Sequence, residues 1–500
     1  MRIGGLATGM DIDGIVEDLM AAERIPLDKM EQDKTRLEWQ RDAYRDVNAM
    51  FLELDSIMYD MRLSSAYNAK TTTSTQPNAV TATATSSVEP GSYSIEVTQL
   101  ATNAINVSQQ GISGAGNKID PTAPLKDIIG EDGPVNFQKK ITFKTYHNGD
   151  EPPHEIEIQE GDSLNSILRR ITNQNNGVRA FYDANSDKVI MERTGTGNYN
   201  PDGPEIDFDV DDSGFFDFLN LDLEKETGGE DAKFRYNNAV DLTSKTNSAT
   251  LNGITFNFTN KMDSPAFVTI ANDTDKAVDN IMNFVNKYNE IVEKANGKLT
   301  EPRNRDYPPL TEAQRNEMSE SEIERWEEQA KSGLLRSDPI LTSALSQMRQ
   351  NWSSVVKNEG AFTHISQIGI STTSNYMDGG KLEVDEDKLR QALEDDARSV
   401  QRLFSNSVEG EGRGIINRLD NTGDRTTARI REQAGRSTST LEQYSLGRRL
   451  KEIDTRMTAF QARLQQVETR YWSQFTRMEQ AIQRMNDQSN YMFQQFNGGF

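Results

Sequence analysis

The sequence predicts an α+β multidomain protein in which terminal coiled-coil helices and a helical-bundle domain enclose inserted β-rich head domains. Both ends of the chain carry apolar residues at helical spacing, which predicts helices that pack on other helices. The middle of the chain alternates apolar and polar residues with a period of two, which is typical of strands. A length of 500 residues suits about three or four domains.

The first helical region begins with an apolar cluster, where Asp11 or Asp13 can supply the N-cap. Pro26 is then expected to begin a second helix, because proline is tolerated at the first helical position. No further proline or glycine occurs until Pro77, and the apolar residues of the second helix step alternately by three and four. The expected packing positions are Ile12, Ile15, Val16, Leu19, Met20, Tyr44, Val47, Phe51, Leu54, Met58 and Met61.

The β-rich part begins at residues 71–87, which are rich in threonine. Within this range, threonines alternate with valine or alanine, a pattern that favours strands. Further alternating runs at 93–97, 232–236 and 251–258 predict more strands. Residues 111–136 are rich in glycine, proline and aspartate, so we expect a loop there.

A compact α+β module is expected within this β-rich part. A strand at 141–146 leads into Asn148-Gly149, a hairpin signal because both residues accept positive φ. The return strand contains Ile156, and a helix with apolar spacing follows over 164–171. A second hairpin is expected over 178–193.

Helical patterns return in the second half of the chain. Apolar residues repeat at steps of three and four over 278–292, and capping boxes predict helix starts at Thr311 and Ser319. An amphipathic helix is expected over 384–403.

The longest helical pattern lies at the C-terminus. Its heptad steps continue to Tyr471, and the extra step of four to Phe475 is a stutter, which locally unwinds a supercoil. A helix over 446–492 would be about 70 Å long and could not bury its apolar residues alone. Its partner is expected to be the N-terminal segment or another subunit. The expected packing residues are Leu446, Leu450, Ile453, Met457, Phe460, Leu464, Val467, Tyr471, Phe475, Met478 and Ile482.

These patterns divide the chain into seven segments. They comprise an N-terminal helical tail, two parts of a helical bundle, two parts of a β-rich head, an inserted α+β head domain and a C-terminal coiled-coil helix. In chain order the predicted bounds are 1–43 (tail), 44–72 (bundle), 73–115 (head), 116–230 (insert), 231–272 (head), 273–440 (bundle) and 441–500 (coiled coil).

The composition argues against several classes of function. Cysteine is absent, which excludes thiol catalysis, disulfides and Cys-ligated metal sites. A net charge of −23 makes nucleic acid a poor partner, because phosphate binding depends on a basic surface. No apolar run reaches the roughly 20 residues of a membrane helix. The first ten residues also lack the basic and apolar regions of a secretory signal.

Catalytic, cofactor and metal motifs are also weak. The three histidines, His147, His154 and His364, are dispersed and are expected in loops or at partly buried positions. Residues 209–214 match the start of a calcium loop, but the twelfth position is Asn220, where a bidentate glutamate would be expected. We therefore interpret this segment as an acidic turn. The Gly4-Gly5 pair is expected to belong to a tail, since no strand precedes it. The sequence thus predicts a protein that is not an enzyme and has no catalytic residue, no cofactor and no metal.

Several segments resemble one known family, the flagellar hook-associated protein 2 family of bacterial filament caps. The similarity is carried at both ends and in the head, at residues 3–13, 15–20, 38–44, 91–101, 161–167, 475–482 and 486–489. The resemblance implies coiled-coil legs at the termini and a homo-oligomeric ring at the distal tip of the filament. It further implies that the ring promotes folding and insertion of exported flagellin and prevents its loss.

The resemblance also implies partners and a location. The expected partners are other copies of the chain, flagellin, hook–filament junction proteins and a flagellar export chaperone, with no nucleic acid and no membrane insertion. Export is expected through the flagellar type III apparatus to an extracellular site at the flagellum tip. On this reading the terminal packing residues serve assembly.

Two other functions are consistent with parts of the sequence. The protein could be a secreted adhesin whose β-rich head binds host surface glycans while the helices form only a stalk. It could also be a hydrolase that uses the acidic middle part of the chain, where Asp209 and Asp211 are the only candidate catalytic residues.

Overall fold

The long helices that the sequence predicts at both chain ends are present in the computed structural model. The structure describes residues 11–114, 118–130, 132–146, 152–159 and 161–497. The predicted hairpin signal at Asn148-Gly149, together with His147 and the Gly4-Gly5 pair, lies outside these residues. The chain divides into a helical unit, Met1–Tyr67 with Thr274–Phe500, and a sheet unit, Asn68–Asp273.

The described helices and strands are numbered in chain order. The helices are α1 (Ile12–Asp60), α2 (Leu125–Ile129), α3 (Leu164–Asn173), α4 (Phe215–Phe218), α5 (Thr274–Thr300), α6 (Glu312–Glu317), α7 (Glu320–Lys331), α8 (Pro339–Ser353), α9 (Glu386–Ser405), α10 (Ile415–Ala434) and α11 (Ser445–Asn497). The strands are β1 (Lys70–Ser74), β2 (Val80–Ala84), β3 (Gly91–Gln99), β4 (Asn103–Val107), β5 (Ile141–Thr145), β6 (His154–Ile156), β7 (Val178–Asp183), β8 (Lys188–Thr196), β9 (Ile206–Asp207), β10 (Ala232–Tyr236), β11 (Val240–Ser244), β12 (Ser248–Leu251), β13 (Ile254–Phe258), β14 (Ala266–Asn272), β15 (Ile370–Thr372) and β16 (Leu382–Val384).

The first helix begins where the sequence predicts but continues further. The Asp11 side chain caps α1 by accepting the Gly14 backbone N–H at 3.0 Å. The prediction that Pro26 begins a second helix is wrong, because α1 runs through Pro26 without a break. Met20 and Leu27, on either side of the proline, are both buried in one apolar cluster with α11. This packing holds the helix together where proline removes a backbone hydrogen bond.

The core of the helical unit is built around aromatic rings. Trp352 of α8 is fully buried, and its ring lies 5.4 Å from that of Tyr288 and 6.0 Å from that of Phe404. Side chains of α1, α5, α8, α9, α10 and the start of α11 meet in this core. The central part of α1 and the first turns of α11 are therefore parts of a bundle.

The amphipathic helix expected over 384–403 begins later than predicted. Val384 ends strand β16, and the Asp385 carboxylate accepts the Lys388 backbone N–H at 3.2 Å as the N-cap of α9. The capping boxes at Thr311 and Ser319 are present and begin α6 and α7.

The sheet unit contains two cores. The first lies between a five-stranded sheet, in the order β1-β14-β3-β10-β11, and a three-stranded sheet, β12-β13-β2. The second core contains α3 and the sheets β4-β8-β7 and β6-β5-β9. The predicted second hairpin is β7–β8, which pairs Val178 with Arg193 and Asp183 with Lys188. Within the described residues of the expected loop over 111–136 lies a short helix, α2.

Candidate assembly surface on the terminal helices

The first half of α1 and the middle of α11 form an antiparallel helix pair. The Lys34 ammonium lies 2.8 Å from the Asp454 carboxylate, and the Tyr471 hydroxyl donates to Glu23 Oε1 at 3.0 Å. Higher residue numbers on α1 thus meet lower numbers on α11. The sequence left open whether α11 pairs with its own N-terminus or with another subunit, and within this chain it pairs with α1.

The contact between these two helices is apolar and is called the terminal seam below. Its buried residues are Ile12, Val16, Met20, Leu27, Leu464 and Val467, with Met30, Met457, Phe460, Tyr471, Trp472 and Phe475 half-buried against them. The heptad spacing of α11 accounts for this continuous row, because steps of three and four keep side chains on one face.

The structure separates the predicted packing residues into three groups. Tyr44, Phe51, Leu54, Leu446, Leu450 and Ile453 are buried in the bundle core, where Met457 packs at the edge. Ile12, Phe460, Leu464, Val467, Tyr471 and Phe475 belong to the terminal seam. Ile15 and Leu19 are each 37% exposed and Met478 is 36% exposed, while Ile482 is half-buried. Their role in assembly remains a prediction.

One polar contact attaches α1 to the bundle. The Tyr44 hydroxyl donates to the carboxylate of Asp338, whose other oxygen accepts the backbone N–H groups of Ile340 and Leu341 at 3.0 Å each. Asp338 is therefore both the N-cap of α8 and the acceptor for α1. Burial, followed by the neighbouring Asp338 carboxylate, raises the pKa of Tyr44 above its ordinary range.

A row of exposed arginines follows one side of α11. Arg456, Arg463, Arg470, Arg477 and Arg484 recur every seven residues and are called the arginine edge below. The Glu452 carboxylate lies 3.9 Å from Arg456 at one end of this edge. Sequence reasoning missed this row, although its period of seven is visible in the chain.

A groove of about 640 Å³ lies between α1, α6 and α11 and is called the acidic groove below. Its apolar lining is Val16, Met20, Ala21, Leu27, Ala313 and Trp472, and Arg24 is the one basic residue among those that line it. Its carboxylates belong to Asp13, Glu17, Asp28, Glu31, Glu312 and Glu468. Burial raises the pKa of Glu31, and repulsion from Asp28 and Glu312 raises it further. The groove thus carries more negative than positive charge beside apolar surface.

The predicted acidic turn is held by its own hydrogen bonds. The Asp211 carboxylate accepts the Ser213 hydroxyl at 2.8 Å and the Thr142 backbone N–H at 3.0 Å. No group of three or more potential ligands that could hold a metal ion occurs among the described residues. His154 lies 2.9 Å from the Thr145 hydroxyl, and His364 accepts the Ser366 backbone N–H at 3.2 Å.

The most buried charges of the sheet unit also have partners. Arg193 and Glu205 form an ion pair in which each side chain is almost fully buried. The Glu205 carboxylate also accepts the backbone N–H of Asn200 at 2.8 Å. Within the described part of the chain, no helix is both long enough and apolar enough to cross a membrane.

Comparisons with known proteins agree with this architecture. The family model "Flagellar hook-associated protein 2 N-terminus" matches residues 8–104, and "Flagellar hook-associated protein 2 C-terminus" matches residues 229–487. The second match alone covers more than half of the chain.

Relatives that align over nearly their whole length occur in two named bacteria. Flagellar hook-associated protein 2 of Halalkalibacterium halodurans is 39% identical, with 98% of each chain aligned. The protein of the same name from Thermotoga maritima is 24% identical, with 99% of this chain and 96% of the relative aligned.

A solved structure supports the fold. The D1-D2-D3 domains of the flagellar cap protein FliD from Escherichia coli superpose with a TM-score of 0.56 at 22% sequence identity. The match covers 77% of this chain and 95% of the E. coli chain. With both family models and a 39% identical relative over nearly its whole length, the chain belongs to the flagellar hook-associated protein 2 family.

Proposed function

We propose that this protein is the structural cap at the distal tip of the bacterial flagellar filament. In this role it forms a homo-oligomeric ring that promotes folding and insertion of exported flagellin and prevents loss of the subunits. The observation that carries the proposal is the terminal helix pair, which buries one apolar seam and leaves Ile15 and Leu19 exposed beside it, within a chain of this family. A surface of this kind serves contacts with other chains.

The end of α11 supplies a second candidate contact region. Helix α11 is about 80 Å long at 1.5 Å per residue. Its partner helix, α1, begins at Ile12. Met485, Met492 and Phe493 near its end are 67%, 58% and 70% exposed. Exposed large apolar residues on one helix end favour a protein partner. Flagellin is the partner we assign to this segment.

We infer a non-enzymatic role with the partners that the family resemblance implies. These are other copies of the chain, flagellin, hook–filament junction proteins and a flagellar export chaperone. Export through the flagellar type III apparatus to the flagellum tip suits a chain without cysteine, which needs no disulfide formation after export. None of the comparisons supports the adhesin alternative, since the relatives are named for the flagellum.

The terminal seam can be tested by substitution. We expect Leu464→Asp with Tyr471→Asp to abolish filament growth, because charged side chains in the seam separate α1 from α11. The measurement is swimming motility together with the amount of monomeric flagellin shed into the medium.

Thr469→Asp with Ser473→Asp is the matched control, because both positions lie exposed on the same helix. This control should grow normal filaments. Normal filaments and retained flagellin in the seam variant would contradict the proposed function.

A further inference from the structure

The two sides of the terminal helix pair carry opposite charge, and the heptad register of α11 determines which side is which. Each arginine of the edge precedes a heptad position by one residue, as Arg463 precedes Leu464 and Arg470 precedes Tyr471. Glu468 instead follows Val467 by one residue. At 100° per residue, residues that precede and follow the seam lie on opposite sides of it. The arginine edge and the acidic groove therefore flank the seam.

The same register assigns the exposed apolar residues of α1 to a side. Ile15 and Leu19 each precede a buried seam residue, Val16 and Met20 respectively. In an antiparallel pair of right-handed helices, residues that precede the seam on one helix share a side with those that precede it on the other. Ile15 and Leu19 thus lie beside the arginine edge, and Glu17 and Asp28, which follow seam residues, line the groove.

The two surfaces also lie at the same level along the pair. Glu468 and Trp472 of the groove fall between Arg463 and Arg477 of the edge. A cyclic ring relates its copies by rotation alone, so when the helix pair runs parallel to the ring axis, contacting surfaces lie at equal height on each copy. Opposite sides at equal height are what a head-to-tail ring contact requires.

We propose that the arginine edge of one copy docks into the acidic groove of the neighbouring copy, and that this contact joins the terminal helices into a ring. The inference rests on the proposed homo-oligomer and names the surfaces that hold it together. Ile15 and Leu19 then meet Ala21, Ala313 and Trp472 at the accessible rim of the neighbour's groove, and the arginines meet its carboxylates. Exposed ion pairs are individually weak, so the apolar contact adds affinity while the charges select the partner.

Charge reversal tests the complementarity. We expect Arg463→Glu with Arg470→Glu to weaken self-association at low salt by about 100-fold, because like charges across an interface repel strongly. Glu17→Lys with Glu468→Lys should do the same, and each variant alone should behave as a smaller species in sedimentation velocity. Mixing the two variants should restore association, since every contact between a copy of one variant and a copy of the other is again complementary. Arg425→Glu with Arg429→Glu, on exposed α10 positions, is the control with equal charge change.

Cysteine cross-linking tests the head-to-tail geometry, and the natural absence of cysteine makes it specific. Full-length Arg470→Cys and Glu17→Cys variants should each fail to form disulfide dimers, but their mixture should form them. The double variant should give a ladder of oligomers, whereas Arg429→Cys with Glu17→Cys should not.

Three results would overturn the inference. The first is a wild-type chain that stays monomeric. The second is an association constant that neither charge-reversal variant changes. The third is a single-cysteine variant that dimerises as readily as the mixture. If charge reversal leaves self-association intact but stops filament growth, the edge serves a different, acidic partner. Failure of this contact leaves the seam test of the proposed function unaffected, because the seam variant disturbs pairing within one chain.

Discussion

At the scale of single residues, adjacent apolar side chains on α1 have opposite surroundings. Val16 is 3% exposed in the terminal seam, whereas Ile15 is 37% exposed. The sequence predicts a helix with an apolar cluster at this position. It does not determine which of two neighbouring apolar residues faces inward, because consecutive residues on a helix are 100° apart and either could point towards the partner helix. Contact with Leu464 and Val467 decides the phase, and that information lies more than 400 residues away.

The hydrogen bond from Tyr44 to Asp338 gives a prediction at this scale. We expect Tyr44→Phe to lower the free energy of unfolding by about 2 kcal/mol at neutral pH, since the bond has a charged acceptor. Urea unfolding followed by circular dichroism measures the difference.

The comparison of wild type with Tyr44→Phe also gives an expected pH dependence. The pKa of Tyr44 is raised in the folded state, so its contribution is complete below the unfolded pKa of about 10 and declines as the pH rises above it. The stability difference between wild type and Tyr44→Phe should therefore shrink above about pH 10. Tyr67 and Tyr288 also have raised pKa values, so only this difference isolates Tyr44. A difference that stays constant with pH would contradict the assignment.

At the scale of elements, the heptad pattern predicts α11 within a few residues, whereas local signals mislead at Pro26. Proline normally ends a helix, but seam contacts on both sides of Pro26 keep α1 continuous. Helix α10 was not predicted, because its buried face includes Thr422, Gly423, Thr426 and Thr427, which break the apolar pattern. Both differences reflect tertiary packing that outweighs local preference.

Pro26 also supports a prediction about local stability. A proline inside a helix costs about 3 kcal/mol, so Pro26→Ala should slow amide hydrogen exchange over residues 12–30 by up to about 100-fold. The exposed position of Pro26 leaves space for the new side chain.

Pro339→Ala is the matched control, because Pro339 occupies the first turn of α8, where proline is tolerated. It should change exchange in α8 only slightly. Equal effects of the two substitutions would show that Pro26 is not a strained helix position.

At the scale of the whole molecule, the sequence predicts the α+β class from helical spacing at the ends and period-two alternation in the middle, but it leaves open whether the chain ends pair within one chain or between subunits. The arginine edge was not predicted, because apolar spacing alone does not register a charged residue that recurs every seven positions. The acidic groove could not be predicted, since it needs α6 beside the pair and no sequence pattern places α6 there. The seven-segment division also stays a prediction. Helix α1 continues across the predicted boundary after residue 43, and strand β1 continues across the predicted boundary after residue 72.

The central claim is that the terminal helices join copies of this chain into a closed oligomer. Its most direct test is the solution mass of the full-length protein, by light scattering, beside a chain lacking residues 1–30 and 457–500. This truncation removes the terminal seam and keeps Tyr44, Leu446, Leu450 and Ile453 in the bundle core. We predict a closed oligomer for the full-length chain and a smaller species for the truncated chain. Equal oligomeric states for the two chains would contradict the claim.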